Sequence, residues 1–92
     1  MVPIHPGRIL RRELSARRLS ANALARALRV PSGRIVDILN GKRSITAETA
    51  LRLGRYFGNA PQFWVNLQAQ YDLATAMRDV GRKVEREVET AA

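Results

Sequence analysis

An all-α fold of five helices in one compact domain is what this sequence predicts, and three observations predict it. Runs of β-branched residues are short, while Ala, Leu and Arg dominate, a balance that favours helix over strand. Apolar residues recur at steps of three and four rather than two, the period of a helix with one buried face. Helix-start and helix-stop residues punctuate the chain at Ser20, Asn40-Gly41, Thr46 and Gly58, where caps are needed. With 92 residues, 46% of them hydrophobic, the chain has material for one small core. We therefore read residues 1–92 as a single domain, with a core over 4–78 and a helical extension over 79–92 that frays at Thr90-Ala91-Ala92.

The first helix is expected from Pro6 to Ala16 or slightly further. Pro6 suits a first turn because its missing N–H has no partner there anyway. Ile9, Leu10 and Leu14 form its apolar stripe, flanked by Arg8, Arg11 and Arg12. Ser20 should cap the second helix by accepting an orphan backbone N–H, with Ala23, Leu24, Ala27 and Leu28 facing inward. The third starts near Pro31 or Ser32, turns Ile35, Ile38 and Leu39 inward, and stops at Asn40-Gly41 in a left-handed cap. Thr46 should cap the fourth, with Glu48 in the first turn where a carboxylate suits the helix dipole. Ala50, Leu51, Leu53, Gly54 and Phe57 supply its core side, and Gly58 ends it. The fifth runs from Pro61 to Val88, with Gly81 as its weak point. Trp64, Leu67, Tyr71, Ala74, Met77, Val80, Val84 and Val88 mark a seam longer than the body can cover, so part of it must pack on something else.

The second and third helices are separated only by Leu28-Arg29-Val30-Pro31. So short a turn sets the second helix across the first, with the small Ala25 at the crossing, which makes the pair a helix-turn-helix. At about 100° per residue, Ile35, Ile38 and Leu39 cluster on one side of the third helix. Gly33, Val36 and Asp37 point away, with Arg34 on the flank and Ser32 at the start. Ser32, Gly33, Arg34 and Asp37 are accordingly the candidate base readers. Arg34 suits guanine O6/N7, Asp37 suits cytosine N4 or the orienting of Arg34, and Val36 suits a thymine methyl. Gly33 lets the backbone approach. Ser20, Ala21 and Asn22 offer backbone N–H groups to a phosphate at a helix start. Asn40, Lys42 and Arg43 offer a basic turn just past the reader helix, and such contacts position without specifying sequence.

Charge agrees. Lys and Arg number 16 against 8 Asp and Glu, for a net +8. Residues 1–60 carry twelve cations and three anions, and residues 61–92 four and five. A basic body with a near-neutral tail fits a polyanionic partner. Cysteine is absent and His5 is the one histidine, which leaves no metal site, no cofactor and no paired nucleophile and base. His5 beside two prolines reads as a structural cap. Without an apolar run of about 20 residues or a secretory leader, the chain is expected in the cytoplasm, away from membranes. RNA binding would need exposed aromatics interleaved with cations, and only five aromatic residues are present.

Leu19-Ser-x-x-x-Leu24-Ala25-x-x-Leu28-x-Val30 followed by Arg34-Ile35-x-x-Ile38-Leu39-Asn40-Gly41-Lys42-Arg43 resembles the phage-repressor-like helix-turn-helix group. Three further stretches are more specific: Ile4-His5-Pro6-Gly7-x-Ile9-Leu10, Ile45-Thr46-Ala47-x-Thr49-Ala50-Leu51-Arg52-Leu53, and Tyr56-Phe57-Gly58 with Pro61-x-Phe63-Trp64-x-Asn66-Leu67-Gln68-x-x-Tyr71-Asp72-Leu73. Together, over roughly residues 4–78, they resemble the HigA family of addiction-module antitoxins, the VapI-like group. The resemblance implies a homodimer that represses its own operon at palindromic operator DNA. It also implies tight binding of a small basic HigB-type toxin, an mRNA-cutting ribonuclease of the RelE kind. The alternative is a phage-type repressor with no toxin partner. Trp64, Leu67, Tyr71, Met77, Val80 and Val84 are the expected dimer or packing seam. The sequence departs from the family pattern at Arg29, where a Gly usually makes the turn, at Ala21, where a polar phosphate contact is usual, and at Ala60, which leaves Asn59 to cap the fifth helix.

Overall fold

A computed structural model describes residues 2–91, and Met1 and Ala92, the latter with its share of the expected fraying, lie outside the described residues. Five helices follow in order: α1 Pro6–Arg17, α2 Ala21–Leu28, α3 Ser32–Leu39, α4 Ala47–Phe57 and α5 Pro61–Glu87. No strand occurs among the described residues, and no helix there is long and apolar enough to cross a membrane.

Side chains hold the helix starts. His5 caps α1, its Nδ1 accepting the Gly7 N–H at 2.9 Å. Ser20 Oγ accepts from Ala23 N at 3.0 Å, and Thr46 Oγ1 accepts from Thr49 N at 3.3 Å, as short hydroxyls do at N-caps. Gly58 closes α4 in the left-handed region at φ 76°. Asn40, in contrast, is not left-handed at φ −88°; Gly41 takes that conformation at φ 73°, because only glycine enters it without a Cβ clash. Asn59 does not cap α5: its Oδ1 accepts from Trp64 Nε1 at 3.0 Å, and Ala60 occupies the cap position without a side-chain bond. Two arginines are left-handed, Arg18 at φ 52° and Arg29 at φ 62°.

Leu10, Leu24, Ile35, Ile38, Leu53 and Trp64 are wholly buried at the centre, each stabilising the fold by about 1.5–3 kcal/mol. Ala25 is buried, while Ala27 is exposed rather than inward. Leu51 is also exposed. The buried strip of α4 runs through Thr49, Ala50, Leu53 and Gly54, and residue 51 falls off that strip by helical rotation. A Cβ on Gly54 would stand 2.7 Å from the Asn59 carbonyl oxygen, so this glycine admits the chain that enters α5. Gln68 is buried inside α5, and its Oε1 accepts the Ile45 N–H at 2.8 Å while its Nε2 donates to Asp72 at 2.9 Å. That pair satisfies a backbone donor in the α3–α4 connection that would otherwise be orphaned.

α5 runs unbroken through Gly81 and ends at Glu87, one residue short of expectation, with Val88 extended. Its 27 residues span about 40 Å, within a molecule measuring 50 × 22 × 22 Å. Ala74 is the last buried residue. The following three turns carry Met77, Val80 and Val84 at 60%, 44% and 49% exposure.

Candidate nucleic-acid interface

α3 presents one face to the core and one to solvent. Ile35 and Ile38 are wholly buried, so the intervening turn positions are pushed outward. Ser32 and Gly33 are exposed at the helix start, and nothing lies within 4 Å of where a Gly33 Cβ would sit. Val36 is 40% exposed. The surface at 32, 33 and 36 is therefore open to solvent.

The two charged residues of this helix are not paired with each other. Arg34 Nη1 lies 3.6 Å from Glu48 Oε1, with its side chain 25% exposed. Glu48 in turn meets Arg52 Nη2 at 3.2 Å, and Arg52 Nη1 donates to the Leu28 carbonyl at 2.9 Å. One chain of polar contacts thus joins α3, the first turn of α4 and the last turn of α2. Asp37 instead stands 4.0 Å from Arg43 Nε. The expectation that Asp37 orients Arg34 is corrected here: the first turn of α4 brings a carboxylate to Arg34, and the chain past α3 folds back on Asp37. The bond from Lys42 N to the Asp37 carbonyl, at 2.8 Å, makes that reversal.

The basic turn is built by α1 as much as by α3. Arg11 Nη2 donates to the Leu39 carbonyl and to Asn40 Oδ1, both at 3.3 Å. Asn40, Lys42 and Arg43 are all exposed, and Lys42 has no ion-pair partner among the described residues. At the start of α2, Ser20 Oγ is spent on capping, which leaves the backbone N–H groups of Ala21 and Asn22 as donors. Arg11, Arg18, Ser20 and Ala21 line one shallow hollow. Arg11 and Glu48 stand where the sequence places them, beside the apolar stripe of α1 and in the first turn of α4, whereas the sequence reading gives Arg18 and Arg52 no part in the site; the four-residue spacing of Glu48 and Arg52 is the signal for the latter.

The expected seam divides in two. Trp64 is wholly buried and Leu67 partly so, so both pack the core of this chain. Tyr71 is half-buried, edge-on to His5. Met77, Val80 and Val84 line an open apolar hollow together with Leu73. Among the described residues no group of three or more metal-ligating side chains gathers.

Residues 10–64 match the helix-turn-helix family model HTH_3. Virulence-associated protein I of Dichelobacter nodosus is 55% identical over 80 residues, spanning 86% of this chain and 74% of that protein. An addiction module antidote protein of the HigA family from Coxiella burnetii has a structure similar at TM-score 0.95 and 53% identity, covering 98% of this chain and 99% of that one. The Pseudomonas aeruginosa antitoxin HigA, solved with the higBA promoter, is similar at TM-score 0.96 and 49% identity, covering 99% of this chain and 100% of that one.

Proposed function

Because the chain belongs to the helix-turn-helix family and, within it, to the HigA-type antitoxins, we propose that it is a DNA-binding antitoxin that represses its own operon as a homodimer and neutralises a small basic HigB-type toxin. The family is one of DNA-binding antitoxins and repressors, not of enzymes. The observation that carries the reading is the open face of α3 beside an exposed basic turn. Ser32, Gly33, Arg34 and Asp37 read base edges in the major groove. The amides of Ala21 and Asn22, with Asn40, Lys42 and Arg43, hold phosphates on either side. The two sets need no cofactor or metal.

Dimer formation is the second part of the proposal. Met77, Val80 and Val84 continue the three-four spacing of α5 beyond the last buried residue. An apolar stripe on a helix with nothing against it favours pairing with the same stripe of a second copy. Such a dimer matches a palindrome, because protein and operator then share one two-fold axis. Residues 1–92 act as one domain whose body, over about 4–78, carries the DNA face and whose tail carries the pairing. The place of action is the cytoplasm, where operator and toxin both reside.

Purification of the tagged chain from its native host, with nuclease present, tests the toxin half. Intact mass should show a small basic protein in stoichiometric amount. The chain emerging alone, yet still gripping its upstream DNA, removes the toxin and leaves a stand-alone repressor.

A further inference from the structure

His5 belongs neither to the α3 face nor to the seam, yet three elements meet on its ring. Nδ1 accepts the Gly7 N–H at 2.9 Å and caps α1. Tyr71 of α5 stands edge-on, with ring centroids 4.9 Å apart. Gly41, left-handed at φ 73°, lies against the ring, where an added Cβ would make ordinary contact with His5 Cγ at 3.8 Å. The Arg43 backbone lies near enough to the ring to act on its proton affinity. Beside it, the backbone of Gly7 rests directly on the Ile38 carbonyl, where any Cβ would overlap. The basic turn after α3 is therefore propped from below by the start of α1.

We propose that His5 is a positioning residue: its neutral ring props Gly41–Arg43 against α1 and α5 and so sets where Lys42 and Arg43 meet phosphate. This rests on the reading of that turn as a phosphate grip. An Nδ1 that accepts from Gly7 leaves the proton on Nε2. Protonation would turn Nδ1 into a donor facing a donor, at a helix start that disfavours positive charge. Burial holds the His5 pKa below its ordinary value, while the Arg43 backbone and the Asp72 carboxylate of α5 push the other way; Tyr71 adds only its ring edge. With the native pKa below the unfolded one, the prop is present above the unfolded value and lost as pH falls through the native one.

His5→Asn is the discriminating variant, because Asn still caps a helix but has no ring. In the free protein, the Gly41 and Lys42 amides bond the Ile38 and Asp37 carbonyls at 3.0 and 2.8 Å. Their hydrogen-exchange protection should fall about tenfold or more in the variant, while amides of α4 and α5 and the melting temperature stay near wild type. In the wild type the Gly41 and Lys42 amide shifts should titrate together with the His5 ring, and in His5→Asn they should be flat over the same pH range. On operator DNA the variant should weaken binding, and the triple variant with Lys42→Ala and Arg43→Ala should bind little worse than the Lys42→Ala, Arg43→Ala double variant. Unchanged loop protection, shifts that ignore the ring, or fully additive losses on DNA would overturn the proposal. Failure of the wild-type chain to bind DNA would refute the operator reading instead, and the measurements on free protein separate the two.

Discussion

Replacing Arg34 with Ala separates reading from folding. In the free protein the substitution removes one contact to Glu48 at 3.6 Å between side chains that are 25% and 60% exposed. Ion pairs with so much water access contribute about 0–1 kcal/mol, and Glu48 keeps Arg52 at 3.2 Å. Stability should therefore fall by less than about 1 kcal/mol. On DNA the loss is larger, because a guanidinium bound to guanine O6 and N7 gives about 1–3 kcal/mol of discrimination at that base pair. That corresponds to roughly 5- to 150-fold in affinity for each half-site. Fluorescence anisotropy with the operator, its three single-base variants at each position and a scrambled duplex reads both terms. Arg34→Ala should flatten preference at one position per half-site and leave the others intact. Arg34→Lys should behave similarly, since a point charge cannot make the planar two-bond contact. Equal weakening on every duplex would place Arg34 on phosphate and refute the assignment.

Lys42→Ala and Arg43→Ala should each weaken operator and scrambled DNA alike and lower the slope of log Kd against log salt by about 0.9 per phosphate released; an unchanged slope would show that the turn does not touch the backbone. Val80→Asp places a carboxylate on a residue that is 44% exposed in the single chain but desolvated in a paired seam. Sedimentation should show monomer at concentrations where the wild type is dimeric, and a retained dimer mass would move the seam elsewhere. Arg29→Gly relieves a left-handed backbone at φ 62° that costs an L-residue about 1–2 kcal/mol, partly offset by the greater freedom of glycine in the unfolded chain. Thermal denaturation should show a net gain of up to about 1 kcal/mol, and a lowered melting temperature would mean the Arg29 side chain contributes more than its backbone loses.

Local rules explain why the helices were legible in the sequence. Ser20, Thr46 and Gly58 sit where a hydroxyl or a Cβ-free residue is required, and all three act there. Ile35 and Ile38 repeat at the helical period and are both buried, which is enough to face α3. The departures share a different origin. Arg18 is left-handed without a glycine to announce it. Leu51 is apolar yet exposed, and composition does not tell a core leucine from one turned to solvent. Gln68 looks like a surface residue but is buried, because the Ile45 N–H, 23 positions away, needs an acceptor. The pairing of Arg34 with Glu48 rather than Asp37 depends on where α4 begins in space. Sequence spacing carries contacts within one element, whereas these contacts are made between elements.

Two copies of the α3 face gripping one palindrome would leave a characteristic footprint of the chain on its own upstream DNA. Hydroxyl-radical cleavage, read beside the mass of the complex, should show two protected half-sites one helical turn, about 34 Å, apart, with two chains bound. Protection of a single half-site by one chain, or no discrete protected site at all, would mean that the two faces do not act as a two-fold pair on DNA.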